Sequence, residues 1–261
     1  MDIGAWFLQR EALRRHGAYC ESISLLVKAI KGGASGGTMA SMMNVIAEAR
    51  ADRNVARTLA RPYSLNPEGS PKGPDGGDQR GIRFSKDGGT WTAPFVMGSV
   101  NTRVVRRSHA LLGFPWGQDF QYDEAIRTGS AAAGWFRAAM ITAGLTGLIT
   151  AASFSWSRRI LQRFVLPRPG TGPDRAARES GFFSLEQIGR LPDGALMHTT
   201  ISGDRDPGYG STSKMLAECA ACLALDKLNS DGGILTPVAA MAEPLFERLQ
   251  RNAGLNFEVR D

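Results

Sequence analysis

A chain of 261 residues can form one large domain or two small ones. Its apolar content of 43% and charged content of 21% are ordinary for a folded protein and argue against disorder. The net charge is +6 and the pI about 9.5, but the basic residues are scattered, with small clusters at Arg103/Arg106/Arg107 and Arg158/Arg159/Arg163. No basic stripe is interleaved with aromatics, which argues against nucleic-acid binding.

An anionic cofactor, an anionic membrane surface or a plain arginine-rich surface would each account for the excess. Three cysteines, Cys20, Cys219 and Cys222, are too few for a disulfide framework and point to a reducing, cytoplasmic compartment. Cys219 and Cys222 form a lone C-x-x-C inside the helical run KMLAECAACLALDKL. With no second pair and no nearby histidine, they read as core residues and no metal is expected. His16, His109 and His198 stand apart, without ligand spacing. The first ten residues lack the basic-then-apolar pattern of a secretory signal.

In chain order, Asp2 to Arg15 reads as an amphipathic helix with Ile3, Trp6, Phe7 and Leu13 on one side. Glu21 to Arg50 reads as a strand, a glycine-rich turn and a helix starting near Thr38. Ile23, Leu25 and Val27 alternate in the strand, and Met39, Met42, Met43 and Ile46 recur at helical spacing. Such a turn offers free amides and the positive end of a helix dipole, so it can hold an anion. Ser35, Gly36, Gly37 and Thr38 are the candidate cradle. The plain alternative is a tight turn that lets helix and strand approach. Neither G-x-x-x-x-G-K-[ST] nor G-x-G-x-x-G is present.

A short helix is expected from Asp52 to before Pro62. Asn66 to Gly81, rich in Gly, Pro and Asp, reads as an exposed loop, either a lid or a surface insertion. Ile82 to Met97 is a hairpin around Asp87-Gly88-Gly89. Met97 to Leu112 is a helix with Val100, Val104 and Leu111 inward and Arg103, Arg106 and Arg107 outward. A strand from Gln118 to Ile126 alternates Phe120 and Tyr122 with Asp119 and Asp123.

Ala138 to Trp156 carries no charge, over a length close to the ~20 residues that cross a bilayer. Ala, Gly, Thr and Ser dominate it, and the segment that follows mixes Ile160, Leu161 and Phe164 with Arg158, Arg159 and Arg163. Residues 138–167 are therefore an apolar and then basic amphipathic segment with three readings: a buried core helix, a helix lying on a membrane or lining a lipid cleft, or a span.

Beyond a Pro/Gly turn region, Phe182 to Leu191 and Ala195 to Ser202 make a second hairpin around Pro192-Asp193-Gly194. Asp204, Arg205, Asp206 and Tyr209 precede a helix from Thr212 to Leu225. They are candidates for a site, or only a cap and its ion pair. A helix from Val238 to Arg251 and a strand from Leu255 to Val259 close the chain. Strands alternate with helices and hairpins, so an α/β (α+β) fold with a mixed sheet and covering helices is expected.

SGGTMASMMNVIAEA, WTAPFVMGSVNTRVVRRSHALLG, DFQYDEAIRTG, RESGFF, GDRDPGYGSTSKMLAECAACLA and GGILTPVAAMAEPLFERL together resemble the saccharopine dehydrogenase-like oxidoreductases, in particular the subgroup with the trans-acting enoyl reductases of mycobacterial lipid-polyketide synthesis. The likeness runs from Asp2 to the C-terminus. It implies NAD(P)H-dependent reduction of a carbon–carbon double bond on a lipid-linked substrate, in a protein that can dimerise.

Members of this family open with a Rossmann unit, and Asp2-Ile3-Gly4 resembles the segment that follows it. The expectation is the substrate-binding, C-terminal part of such a reductase, residues 1–261, with the Rossmann domain missing and no tight cofactor binding by this chain. Its expected location is cytoplasmic, with peripheral attachment to a membrane or lipid droplet as a further reading. Ala242-Glu243-Pro244 departs from the family and suggests a shifted helix start. The Tyr-x-x-x-Lys pair of short-chain reductases is absent, since Tyr209 and Lys214 are five apart. No catalytic residue is assigned.

Overall fold

The computed structural model describes residues 1–32, 36–165 and 170–260, leaving aside the side chains at 162 and 165. Its strands are β1 (Ser22–Lys31), β2 (Arg83–Ser85), β3 (Thr90–Pro94), β4 (Gln121–Gly129), β5 (Phe182–Arg190), β6 (Leu196–Gly203) and β7 (Leu255–Arg260). They form a seven-stranded sheet in the order β2-β3-β4-β1-β5-β6-β7. β1 runs parallel to β4, and the other neighbours are antiparallel. Both expected hairpins form, and the mixed sheet with helices is the expected α+β class.

The helices are α1 (Asp2–His16), α2 (Gly36–Ala51), α3 (Arg53–Ala60), α4 (Gly98–Leu111), α5 (Ala132–Ala152), α6 (Ser155–Ile160), α7 (Arg175–Ser180), α8 (Gly210–Leu225) and α9 (Pro237–Asn252). Successive side chains of a strand point to opposite faces. Ile23, Leu25 and Val27 of β1 therefore share one face with Tyr122 of β4, Leu185 of β5, Ile201 of β6 and Phe257 of β7, and all are buried. α1, α4 and α9 close this face. Phe246 of α9 stacks on Phe7 of α1 at 5.4 Å between centroids and meets Phe257 at 5.0 Å.

α1 is buried more completely than a one-sided stripe would be. Ala5, Leu8 and Ala12 are inside with Ile3 and Phe7, whereas Leu13 is exposed. The helix has the sheet on one side and α9 on the other, so most of its circumference meets protein. Gln9 accepts from the Cys20 amide at 2.8 Å and donates to its carbonyl at 2.9 Å, which fixes the turn into β1. Asp2, also buried, accepts from Ser108 Oγ of α4 at 2.6 Å and from the Val238 amide at the start of α9 at 3.0 Å. Burial raises its pKa, and these two hydrogen bonds oppose the rise.

α4 departs from its expected orientation. Arg103 and Arg106 are buried rather than outward, and Val100 is exposed rather than inward. The cause lies in the Gly/Pro loop. Asp78 receives Arg103 Nη1 at 2.6 Å, and Asp75 receives Arg106 Nε at 2.6 Å. Asp75 also accepts from the Tyr122 amide, and Arg106 Nη2 donates to the Tyr122 carbonyl at 2.8 Å. Two buried guanidinium pairs thus tie the loop to α4 and β4.

Pro244 does not shift the start of α9. The helix begins at Pro237 and carries Pro244 in its interior. A proline cannot donate to the carbonyl four residues back. That carbonyl, of Ala240, accepts instead from Ser230 Oγ at 2.9 Å. The apolar segment also differs from its expected bounds: α5 starts at Ala132 and stops at Ala152, and Ser153 and Phe154 separate it from α6.

Asp75→Ala leaves the Arg106 guanidinium buried without its carboxylate, which is expected to cost about 3–5 kcal/mol. Pairing it with Arg106→Met should recover much of that loss. Denaturant unfolding of the two variants checks both outcomes.

Candidate functional site

The sheet's second face is unlike the first. β1 turns Ser24 and Leu26 to it, β4 Asp123, Ala125 and Arg127, β5 Glu186 and Ile188, and β6 His198 and Thr200. The β2–β3 turn curls over this face. A Cβ on Gly88 would lie 2.8 Å from Leu26 Cδ1 and 3.4 Å from Ile188 Cδ1, so the turn packs directly on the Leu26–Ala125–Ile188 patch and a side chain at residue 88 would press on Leu26. Asp87, next in the turn, pairs with Arg190 at the end of β5 and holds it down.

A cavity of about 360 Å³ lies beside this turn. Ser24, Leu26, Asp123 and Ala125 form its floor; Arg83 to Asp87 and Gln79 form its walls. Gln79 Nε2 donates to the Thr92 carbonyl at 3.1 Å, so the Gly/Pro loop contributes one side. Ser24 Oγ donates to Asp123 Oδ1 at 2.6 Å. Asp123 stays open to solvent through the cavity, but the surrounding protein strips away enough water to raise its pKa. The Ser24 hydrogen bond acts the other way. Arg83 and Lys86 are exposed on the rim, whereas Arg190 is engaged by Asp87.

A second polar group lies further along the same face. Glu186 is buried and accepts from Arg127 Nη1 at 2.5 Å, and His198 Nδ1 stands 3.6 Å from its other oxygen. Thr200, opposite Glu186 on β6, is buried with a hydroxyl that has no hydrogen-bond partner. Among the described residues no group of His, Cys, Asp and Glu is placed to hold a metal.

The candidates read from the sequence lie elsewhere, at the corner where β1 ends and α2 and α8 begin. Ser35 is outside the described residues. Gly36 is buried and its amide donates to the Thr171 carbonyl at 3.0 Å, while Gly37 and Thr38 are exposed in the first turn of α2. Asp204 lies 3.4 Å from Lys214 Nζ, and Arg205 Nη1 lies 3.9 Å from Glu179. The Tyr209 ring is so close to Gly172 that a Cβ there would come within 2.6 Å. Thr171 and Gly172 thus bring the two candidate groups together.

Asp206 is fully buried and takes the amides of Tyr209 at 2.9 Å and Gly210 at 3.2 Å, so it caps α8. Gly181 packs so tightly on Asp206 that a Cβ would approach within 2.5 Å. A dinucleotide pyrophosphate needs open amides at a helix start. Here the start of α8 is filled by Asp206, and the Gly36 amide is taken by Thr171. The start of α8 and the Gly36 amide are therefore already occupied by the protein's own acceptors. The one parallel strand pair among the described residues does not provide a doubly wound crevice.

Asp123, Arg127 and Glu186, which line this second face, are not among the candidates read from the sequence. The alternation of Asp123 with Tyr122 marks it as off the core face. Nothing local says that the β2–β3 turn folds over it.

Relatives named trans-acting enoyl reductase, at 32–37% identity, cover this chain. A Mycobacterium tuberculosis (H37Rv) protein given that name provisionally is 37% identical over 273 residues, covering 99% of this chain and 64% of the relative. The trans-acting enoyl reductase of Mycobacterium ulcerans (Agy99) is 36% identical over 228 residues, with 83% and 54% covered. That of Mycobacterium bovis (BCG Pasteur) is 32% identical over 261 residues, with 95% and 62% covered. The chain thus spans less than two thirds of the length of these relatives. No protein-family profile matches it, and no solved structure matches it significantly.

Asp206→Ala is expected to lower stability by about 1–2 kcal/mol, because two amides of α8 lose their acceptor. Asp206→Asn keeps an acceptor and should lose little. Equal losses in the two, measured by denaturant unfolding, would show that the charge matters and not the cap.

Proposed function

We propose that this chain is the substrate-handling part of an NAD(P)H-dependent enoyl reductase of the saccharopine dehydrogenase-like group, acting on lipid- or polyketide-derived acyl substrates. The observation that carries the reaction class is the 37% identity over 99% of the chain with a protein named, provisionally, for that activity.

Reduction of an enoyl group adds a hydride to the carbon β to the carbonyl and a proton to the α carbon. Negative charge builds on the carbonyl oxygen in between. The cavity on the second face has groups for both needs. Arg83 and Lys86 on its rim are cations that stabilise an oxyanion, and Asp123 on its floor is a carboxyl that holds its proton to higher pH than usual. Leu26 and Ala125 give the acyl group an apolar floor, and Phe84 an apolar edge. Ser24 orients the Asp123 carboxyl through its hydrogen bond.

The test is turnover of an enoyl thioester by the natural protein, followed by loss of reduced nicotinamide. Asp123→Asn should lower turnover about 100-fold, the usual worth of a positioned proton donor. With Asp123 protonated in the active form, the wild-type rate should fall as pH rises through its raised pKa, and the Asn variant should lose that limb. Unchanged rate and pH profile in the variant would remove Asp123 from the reaction. Failure of the wild type to reduce any enoyl thioester would remove the reaction class.

A further inference from the structure

We propose that α5, α6 and the short π-helix Leu161–Val165 that follows form a surface that lies flat on an anionic lipid bilayer. α5 packs on its own domain along a narrow stripe: Gly134, Ala138 and Ala152 are buried, and Ile141, Leu145 and Leu148 between them half-buried. The start of the helix is locked to the end of β4, where a Cβ on Gly134 would meet the Gly129 backbone at 2.1 Å. The rest of α5 faces outward. α5 is long and apolar enough to cross a bilayer by composition, yet an eighteen-residue stretch of it is only 11% buried, so it is not a buried core helix.

The outward residues are large and apolar. Phe136 is 63% exposed, Met140 76%, Trp156 67% and Phe164 74%. A monomer in water seldom leaves so many such side chains uncovered in one run of chain. Tryptophan in particular suits a bilayer interface, with an apolar body and a polar N–H.

Charge selects the occupant. No acidic residue occurs between Glu124 and Asp174. Arg137, Arg158, Arg159 and Arg163 lie within that stretch, and none has an acidic partner among the described residues. Arg50 of the neighbouring α2 adds a further cation, 4.9 Å above the Phe154 ring. Two acids flank Arg50: Glu48 is engaged by Asn44 at 2.7 Å, and Asp52 caps α3 by accepting from the Asn54 amide at 2.7 Å. Apolar side chains rimmed mainly by cations match lipid tails beneath anionic headgroups.

A second copy of this chain would oppose arginine to arginine across a two-fold axis, which disfavours self-association by this face. A span is also disfavoured. The inner stripe of α5 is fixed against β3 and β4 of the same domain, so the helix cannot enter the hydrocarbon without carrying the sheet edge with it. Flat binding needs no such movement. This proposal does not rest on the reductase reading, because it uses none of the cavity residues.

Co-sedimentation with vesicles tests it. The full chain should pellet with phosphatidylcholine vesicles containing phosphatidylglycerol, and much less with phosphatidylcholine alone. The triple variant Arg158→Glu, Arg159→Glu, Arg163→Glu should bind at least on the order of 100-fold more weakly, at about fivefold per surface cation. The matching triple lysine variant should bind nearly as the wild type, which separates charge from misfolding. Trp156→Phe should remove part of a lipid-induced blue shift in tryptophan emission.

No pelleting, or pelleting indifferent to phosphatidylglycerol and to charge reversal, would overturn the proposal. So would a dimer that Phe136→Ser/Met140→Ser dissociates, found together with absence of vesicle binding. In either case turnover of an enoyl thioester in solution would remain a separate measurement.

Discussion

The two-residue repeat of β1, β4 and β5 is the constraint from which the rest of the structure follows. A strand cannot turn consecutive side chains to one side. Once Ile23, Leu25 and Val27 face the helices, Ser24 and Leu26 must face away, with Asp123 and Ala125 beside them on β4 and Glu186 and Ile188 on β5. The first face has α1 and α9 to cover it, and the second has mainly the β2–β3 turn. The apolar patch under that turn is only three residues, so most of the second face holds groups that tolerate water. A cavity with a carboxyl on its floor and cations on its rim is the consequence.

Buried polar ties then decide how the covering pieces sit. Dispersion and apolar burial draw α1, α4 and α9 together but carry little direction. Asp2 supplies direction, because its carboxylate accepts from one helix and caps another. The desolvation of that charge opposes folding, while each charge-assisted hydrogen bond contributes only about 1.5–3 kcal/mol. The gain is therefore in register more than in stability. Asp75 and Asp78 do the same for the Gly/Pro loop. Without them, nothing apolar in Asn66 to Gly81 would hold it near Gln79's contact with β3.

Most of the elements were legible in the sequence because their signals are local. The strand Ile23–Val27, both glycine-marked hairpins and the helix through Val238 follow from period and turn chemistry alone. The orientation of α4 was not legible. Arginines every third or fourth residue look outward unless a carboxylate from a distant loop meets them, and Asp75 and Asp78 lie 31 and 25 positions from the arginines they pair with. Pro244 failed for a similar reason, since the hydroxyl that replaces its missing donor comes from Ser230 before the helix. The site was less legible still. Asp206 and Gly36 stood out for their turn chemistry, and the structure gives them capping and packing contacts. The cavity at Asp123 needs three strands and a folded-over turn before it exists.

The two proposals meet at β4. Asp123 lies on the floor of the cavity, and Gly129, at the far end of the same strand, is where α5 is locked down. Six residues of strand separate them, or about 20 Å. Over that length β4 is paired with β1 from Asp123 to Ile126 and with β3 at Ala125, Ile126, Arg127 and Gly129, so nearly every residue of it has a ladder partner. The separation between a docked α5 and the cavity is therefore fixed by the sheet rather than by a hinge. A bilayer held at α5 would stand at a constant reach from Asp123. With both proposals taken together, an acyl substrate would be selected partly by how far its double bond lies from the end that stays in the lipid.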